Sequence, residues 1–187
     1  MRLFLAIPIP DPLRDGLARR AAAVRADLPR ATWVRPGAMH LTLHFFGERE
    51  LARAEEIAAA LTAPIAAHRE LSLHLARAGA FPRARPRVVW IGLHESPTLD
   101  TLHRSVRETL DRLGEPLDER AFHAHLTLAR CKERFRREHQ ARLDEAFADL
   151  EGIEMPVREV VLYESALDPR GARHAPVARL PLGDPNA

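Results

Sequence analysis

The sequence predicts a mixed α and β protein built as two related lobes that face each other across a cleft, and three observations predict it. Segments of strand and helix character follow one another as strand, helix, strand, and the cycle then starts over. The tetrapeptide HLTL occurs at 40–43 and again at 125–128, each time in a strand that leads into a helix. An apolar share of 46% and a charged share of 29% are those of an ordinary globular chain, and 187 residues can bury one sizeable core. The expectation is a single domain over 1–187 made of two intertwined lobes.

The elements follow in order. From Arg2 to Ile9 apolar residues run together as in a strand, and Pro8 and Pro10 close it before a helix over 12–27. A link holding Pro29 and Pro36 leads to MHLTLHFFG at 39–47, whose β-branched and aromatic content and terminal Gly47 argue for a strand. Residues 50–69, rich in Ala, Glu, Arg and Leu, predict a helix, and 70–76 alternates as a strand. After the proline-rich loop GAFPRARPR, the run VVWIGL at 88–93 reads as a buried strand and 97–113 as a helix. AFHAHLTLARC at 121–131 predicts the next strand, 134–150 a helix and 157–167 a further alternating strand. PVARLPL suggests an edge strand, and the tail over 182–187 has nothing to bury and is expected to fray.

Charge narrows the classes further. Lys132 is the only lysine, so the basic charge is arginine and stays ionised at any working pH. The net charge of +2 permits a nucleic-acid partner without demanding one, although guanidinium forks suit phosphate oxygens. Cys131 stands alone, which excludes an internal disulfide and a cysteine-only zinc site and fits a reducing compartment, with cytoplasm the simple expectation. No stretch reaches the roughly 20 apolar residues of a membrane span, and the N-terminal run reads as a first strand rather than a leader.

The chemistry lies in the repeat. Side chains at i and i+2 of a strand share a face, so His40 and Thr42 point together while Leu41 and Leu43 point into the core, and His125 and Thr127 repeat the pattern over Leu126 and Leu128. Two such strands side by side bring two imidazoles and two hydroxyls into one groove. Attack on a phosphodiester needs a base for the nucleophile and an acid for the leaving oxygen, and histidine serves both near neutral pH. The threonine hydroxyls can donate to phosphate oxygens, and Arg130, just after the second motif, can add permanent positive charge.

With their flanks, these motifs resemble the two-histidine (2H) phosphoesterases, and within them the RNA 2′,3′-cyclic phosphodiesterases formerly called 2′-5′ RNA ligases. The resemblance covers almost the whole chain: MRLFLAIPI, the WVRP before the first motif, HFFGE after it, GAFPRARPRVVWIGL, AHLTLAR and VVLYESAL. It implies a bilobal, pseudo-twofold α+β fold, with two mainly antiparallel sheets facing a central cleft and helices outside. It also implies opening of a terminal 2′,3′-cyclic phosphate to a 2′-phosphate with neither metal nor cofactor. On this resemblance His40 is the proton donor to the departing 3′ oxygen and His125 the acceptor that activates water. The partner implied is an RNA 3′ end with a cyclic phosphate, tRNA fragments and small cyclic nucleotides being candidates; a monomer is expected. The chain departs from the pattern at His174, where relatives often carry an aromatic residue, and at FHAH, where they carry FxPH.

Blander readings stand beside these. A lone histidine in an apolar strand is more often structural than catalytic. By parity His44 shares a face with His40, as His123 does with His125, so a metal-ligand reading is open, yet no carboxylate or cysteine has ligand spacing nearby. Arg83, Arg85 and Arg87 either line an RNA path or keep a loop solvated. Trp33, Phe45, Phe46 and Phe122 are core residues or stack a terminal base, and Phe45 is the one assigned to substrate. Tyr163 and Ser165 share a face in the last long strand and are expected to line the cleft, while nothing marks Cys131 as a nucleophile. The function from another class is an RNA-end binding module that recognises phosphate without turnover; reverse 2′,5′ ligation would be a side activity of the same groups.

Overall fold

The structure is a computed structural model that describes residues 1–82, 87–166 and 172–183. In chain order the elements are β1 (Arg2–Pro8), α1 (Asp11–Val24), β2 (Ala31–Trp33), β3 (His40–Glu48), α2 (Leu51–Ala66), β4 (Leu71–Phe81) and β5 (Val88–Leu93). There follow α3 (Pro97–Arg112), β6 (His125–Cys131), α4 (Arg137–Phe147), β7 (Glu154–Val157), β8 (Glu159–Ala166) and β9 (Arg173–Pro181). The strands lie in the order β7-β4-β5-β6-β3-β1-β8-β9, with β2 added beside β6, and neighbouring named strands are antiparallel. The order divides at its centre, because β6 and β3 meet through one residue pair, Leu41 with Leu126. Four strands lie on each side of that junction, with β2 as an extra short one, so one continuous antiparallel sheet has two halves, in keeping with the bilobal α+β fold the resemblance implies.

The helices form where apolar residues recur on one face. α2 buries Ala54, Ile57, Leu61 and Ile65, and α3 buries Leu99, Leu102, Val106 and Leu110, both at three- and four-residue spacing. Each such aliphatic side chain contributes about 1.5–3 kcal/mol by leaving water. Ser96 caps α3 by accepting from the Leu99 amide at 3.3 Å. α2 packs on β9 and α3, while α4 packs on β4 and α1.

Several boundaries differ from the sequence expectation, each for a tertiary reason. The strand expected over 157–167 is β8, which starts at Glu159, while the short β7 before it has no counterpart in the sequence expectation; β7 pairs with β4, β8 with β1, and Arg158 between them is where the chain leaves one half of the sheet for the other. Leu167 itself lies outside the described residues. Residues 121–124 join no strand, so the second motif strand begins at His125. β4 runs on to Phe81, its register with β5 shifting between Leu75 and Ala78. The tail is anchored further than expected. Leu182 is buried, the Gly183 amide donates to the His68 carbonyl at 2.7 Å, and a Cβ at Gly183 would stand 2.5 Å from the Ala66 carbonyl oxygen. Residues 184–187 of the tail lie outside the described residues.

Candidate active site

His40 and His125 open their strands at the central junction. With Leu41 opposite Leu126 in an antiparallel pair, the register sets His40 beside Thr127 and Thr42 beside His125, all four half-buried and on one face. Leu41 and Leu126 are buried on the other face.

Both imidazoles are held the same way. Nδ1 of His40 donates to the Ala38 carbonyl at 2.8 Å, and Nδ1 of His125 to the His123 carbonyl at 2.7 Å. A carbonyl only accepts, so the proton sits on Nδ1 and the neutral ring keeps its lone pair on Nε2, the atom left for chemistry. The Phe4 ring packs 4.7 Å from that of His40, and Phe81 stands edge-on to His125 at 5.1 Å. Burial pushes the His40 imidazole down to about 4, against the Ala38 carbonyl that favours its charged form, and His174 and His125 lower it further. His125 is lowered too, by burial first, with Arg130 adding to it. The groove of the free protein therefore holds two neutral imidazoles at neutral pH.

The two motif strands share a second device. Seven positions from each histidine show the same burial sequence, and each strand bulges at its second leucine: β1 skips Leu43 in its pairing with β3, and β5 skips Leu128 in its pairing with β6. The extra residue reverses the alternation, so Phe45 and Arg130 return to the histidine face as exposed side chains, Phe45 at 63%. His44 goes the other way. It is buried at 6%, opposite Leu5, which corrects the parity reading that placed it beside His40 and dismantles the proposed His-x₃-His ligand set.

The other assigned residues divide. Tyr163 is half-buried and its ring stacks on Phe4 at 5.3 Å, and Ser165 follows on the same face opposite His174. Arg87 is exposed, its carbonyl accepting from the Cys131 amide at 2.7 Å, and alternation along β5 turns it away from the face of Val88 and Arg130. Arg83 and Arg85 lie outside the described residues. Trp33, Phe46 and Phe122 pack on the core, and burial raises the Cys131 thiol.

Three groove residues escaped the sequence reading. Phe4 lies in a strand whose five central residues are all buried, so no alternation marked its face. Phe81 ends a strand longer than expected. Trp90, opposite Thr127, lies across Gly79, where a Cβ would stand 2.5 Å from the indole; glycines at 79 and 92 flanking a tryptophan were the available signal.

Comparison with known proteins agrees with this geometry. The family profile of the 2′-5′ RNA ligase superfamily matches residues 11–169. An RNA 2′,3′-cyclic phosphodiesterase of Archaeoglobus fulgidus is 34% identical over 178 residues, covering 91% of this chain and 94% of that protein. One of Geobacillus stearothermophilus is 34% identical over 128 residues, 68% of this chain but only 41% of that protein. A crystal structure from Thermus thermophilus superposes with a TM-score of 0.81 at 26% identity, covering 99% of this chain and 100% of that one. Paired histidines on mirrored strands, a matching family profile and a shared fold agree, and the chain belongs to the 2′-5′ RNA ligase superfamily of two-histidine phosphoesterases.

Proposed function

We propose that this protein hydrolyses the 2′,3′-cyclic phosphate at RNA 3′ ends to a 2′-phosphate, without metal or cofactor, by acid/base catalysis between His40 and His125. The observation that carries the reading is the matched anchoring of the two rings, each Nδ1 on a backbone carbonyl, which leaves the lone pair of each neutral ring on Nε2. In-line displacement requires the entering water and the leaving oxygen on opposite sides of phosphorus, and two imidazoles facing one groove meet that need. His125 takes a proton from water as its oxygen bonds to phosphorus. The P–O3′ bond breaks, and protonated His40 gives its proton to the 3′ oxygen. Arg130 beside His125 favours the neutral base there. Thr42 and Thr127 donate to the non-bridging oxygens, where each such donor is worth several kcal/mol in the transition state. Phe45, Tyr163 and Ser165 border the same face and contact the terminal nucleoside. The similarity to proteins named RNA 2′,3′-cyclic phosphodiesterase supports the substrate class. Ligation of 2′,5′-linked RNA is the same path in reverse.

The test is incubation with EDTA of a short RNA ending in a 2′,3′-cyclic phosphate. The wild type is expected to yield a 2′-phosphate, and His40→Ala and His125→Ala to lose roughly 10²–10⁴-fold each while keeping the wild-type fold. Near-normal turnover by either variant would sink the assignment. Tight binding of the RNA without product would favour an end-recognition module.

A further inference from the structure

We propose that the cavity beside the two-histidine groove binds the nucleotide preceding the cyclic end, so that the protein acts on an RNA strand in preference to a free cyclic mononucleotide. The inference rests on the hydrolase reading and adds to it a second nucleotide subsite.

The cavity has a volume of about 460 Å³, within the range of small-ligand pockets. It adjoins the groove through three residues: Met39 immediately precedes His40, Pro8 is His40's partner across β1 and β3, and Tyr163 stacks on the Phe4 ring that packs against His40. A strand whose terminal phosphate lies between the histidines can pass over Tyr163 directly into this space.

Its lining has the two chemistries that a nucleotide carries. Ile9, Met39, Pro156 and Tyr163 provide apolar and aromatic walls for a base. Arg14, Arg158 and Arg179 bring three guanidiniums to the lining beside the carboxylates of Asp11 and Glu159, with Asp15 and Glu70 as further partners of Arg14 and Arg158. These cations are held in place: Arg14 donates to Asp11 at 2.8 Å and to Asp15 at 3.4 Å, Arg179 to Glu159, and Arg158 lies 3.4 Å from Glu70. Arg14 spends three of its five donors on its two carboxylates, and one carboxylate occupies at most two donors of Arg158 or Arg179, so each fork retains N–H groups for a phosphate oxygen. An apolar wall beside oriented guanidiniums fits a base and its 5′ phosphate, and the neighbouring groove fixes that nucleotide as the one upstream of the cyclic end.

The experiment compares kcat/KM for a 2′,3′-cyclic mononucleotide with that for a 5′-phosphorylated dinucleotide bearing the same cyclic terminal residue. The wild type is expected to favour the dinucleotide by about tenfold or more, since hydrogen bonds to charged groups contribute about 1.5–3 kcal/mol. Arg14→Gln with Arg158→Gln, and Arg158→Gln alone, are expected to shrink that ratio while leaving mononucleotide turnover unchanged, which also shows that the fold is intact. A wild-type ratio near one, or an undiminished ratio in both variants, overturns the subsite. Failure to turn over either substrate counts against the hydrolase reading instead. Calorimetric titration with a 5′-phosphorylated, uncyclised dinucleotide then tests binding apart from turnover, and affinity equal in wild type and variants overturns the subsite.

Discussion

With each Nδ1 committed to a backbone carbonyl, His40 and His125 have only Nε2 to offer a substrate, and the charge on that atom decides which step each can serve. His40, held near 4 by burial, is neutral in the free protein, yet an acid must be charged when the leaving oxygen departs. An entering phosphate brings the counter-charge that makes the imidazolium favourable, so substrate raises His40. The alkaline limb of kcat/KM, which reports the free protein, is therefore expected below pH 6.5, and that of kcat higher. Profiles of both constants on one cyclic substrate check this; coincident limbs would show that substrate leaves His40 where it was. His40, Thr42, His125 and Thr127 were legible because a strand alternates with a period of two. His44 was misplaced because the bulge at Leu43 depends on pairing with β1, which the local sequence does not announce.

At the scale of elements, the repeated bulge sets the groove's rim, returning Phe45 on one strand and Arg130 on the other to the histidine face. The second motif strand also depends on its neighbours. Trp90 on β5 stands beside Thr127 and lies flat only because residue 79 on β4 has no side chain. Gly79→Ala is expected to push the indole toward Thr127, costing about 1–3 kcal/mol as overpacking does and lowering turnover along with the thermal midpoint. A variant with unchanged midpoint and rate would show that the indole has room to move. Most elements were legible from composition and periodicity, α2, α3 and β5 nearly to the residue. β7 was not, since four residues holding Pro156 carry little strand signal of their own and only the pairing with β4 makes them a strand.

At the scale of the molecule, an ion cluster joins α2, which follows the first motif strand, to the end of α3. Glu115, just beyond α3, has a side chain only 2% exposed and accepts from Arg49 at 2.7 Å and from Arg53 of α2 at 2.7 Å. Burial alone would raise the Glu115 carboxyl, but the two guanidiniums outweigh it and hold it below its ordinary value. Glu115→Gln leaves both cations facing an uncharged amide. The expected loss is toward the lower end of about 3–5 kcal/mol, because the arginines are partly solvated, and urea unfolding measures it. Stability against pH combines this cluster with the buried histidines. For His40 the folded value lies below the unfolded 6.5, so below pH 6.5 the unfolded chain binds the extra proton and stability falls until pH passes about 4. At about 1.4 kcal/mol per pH unit that is roughly 3 kcal/mol from His40, and His44, His103, His125 and His174, all lowered chiefly by burial, act in the same direction. Glu115 contributes stability above its unfolded value and loses it only at lower pH, as the carboxylate protonates. Urea midpoints are thus expected to hold above pH 7, fall from pH 6.5, and fall more gently in His40→Gln, whose unfolded state takes up one proton fewer. A slope between pH 6.5 and 4 identical in the two proteins would mean that His40 is solvated enough to stay charged, and the groove would then be polar in its resting state.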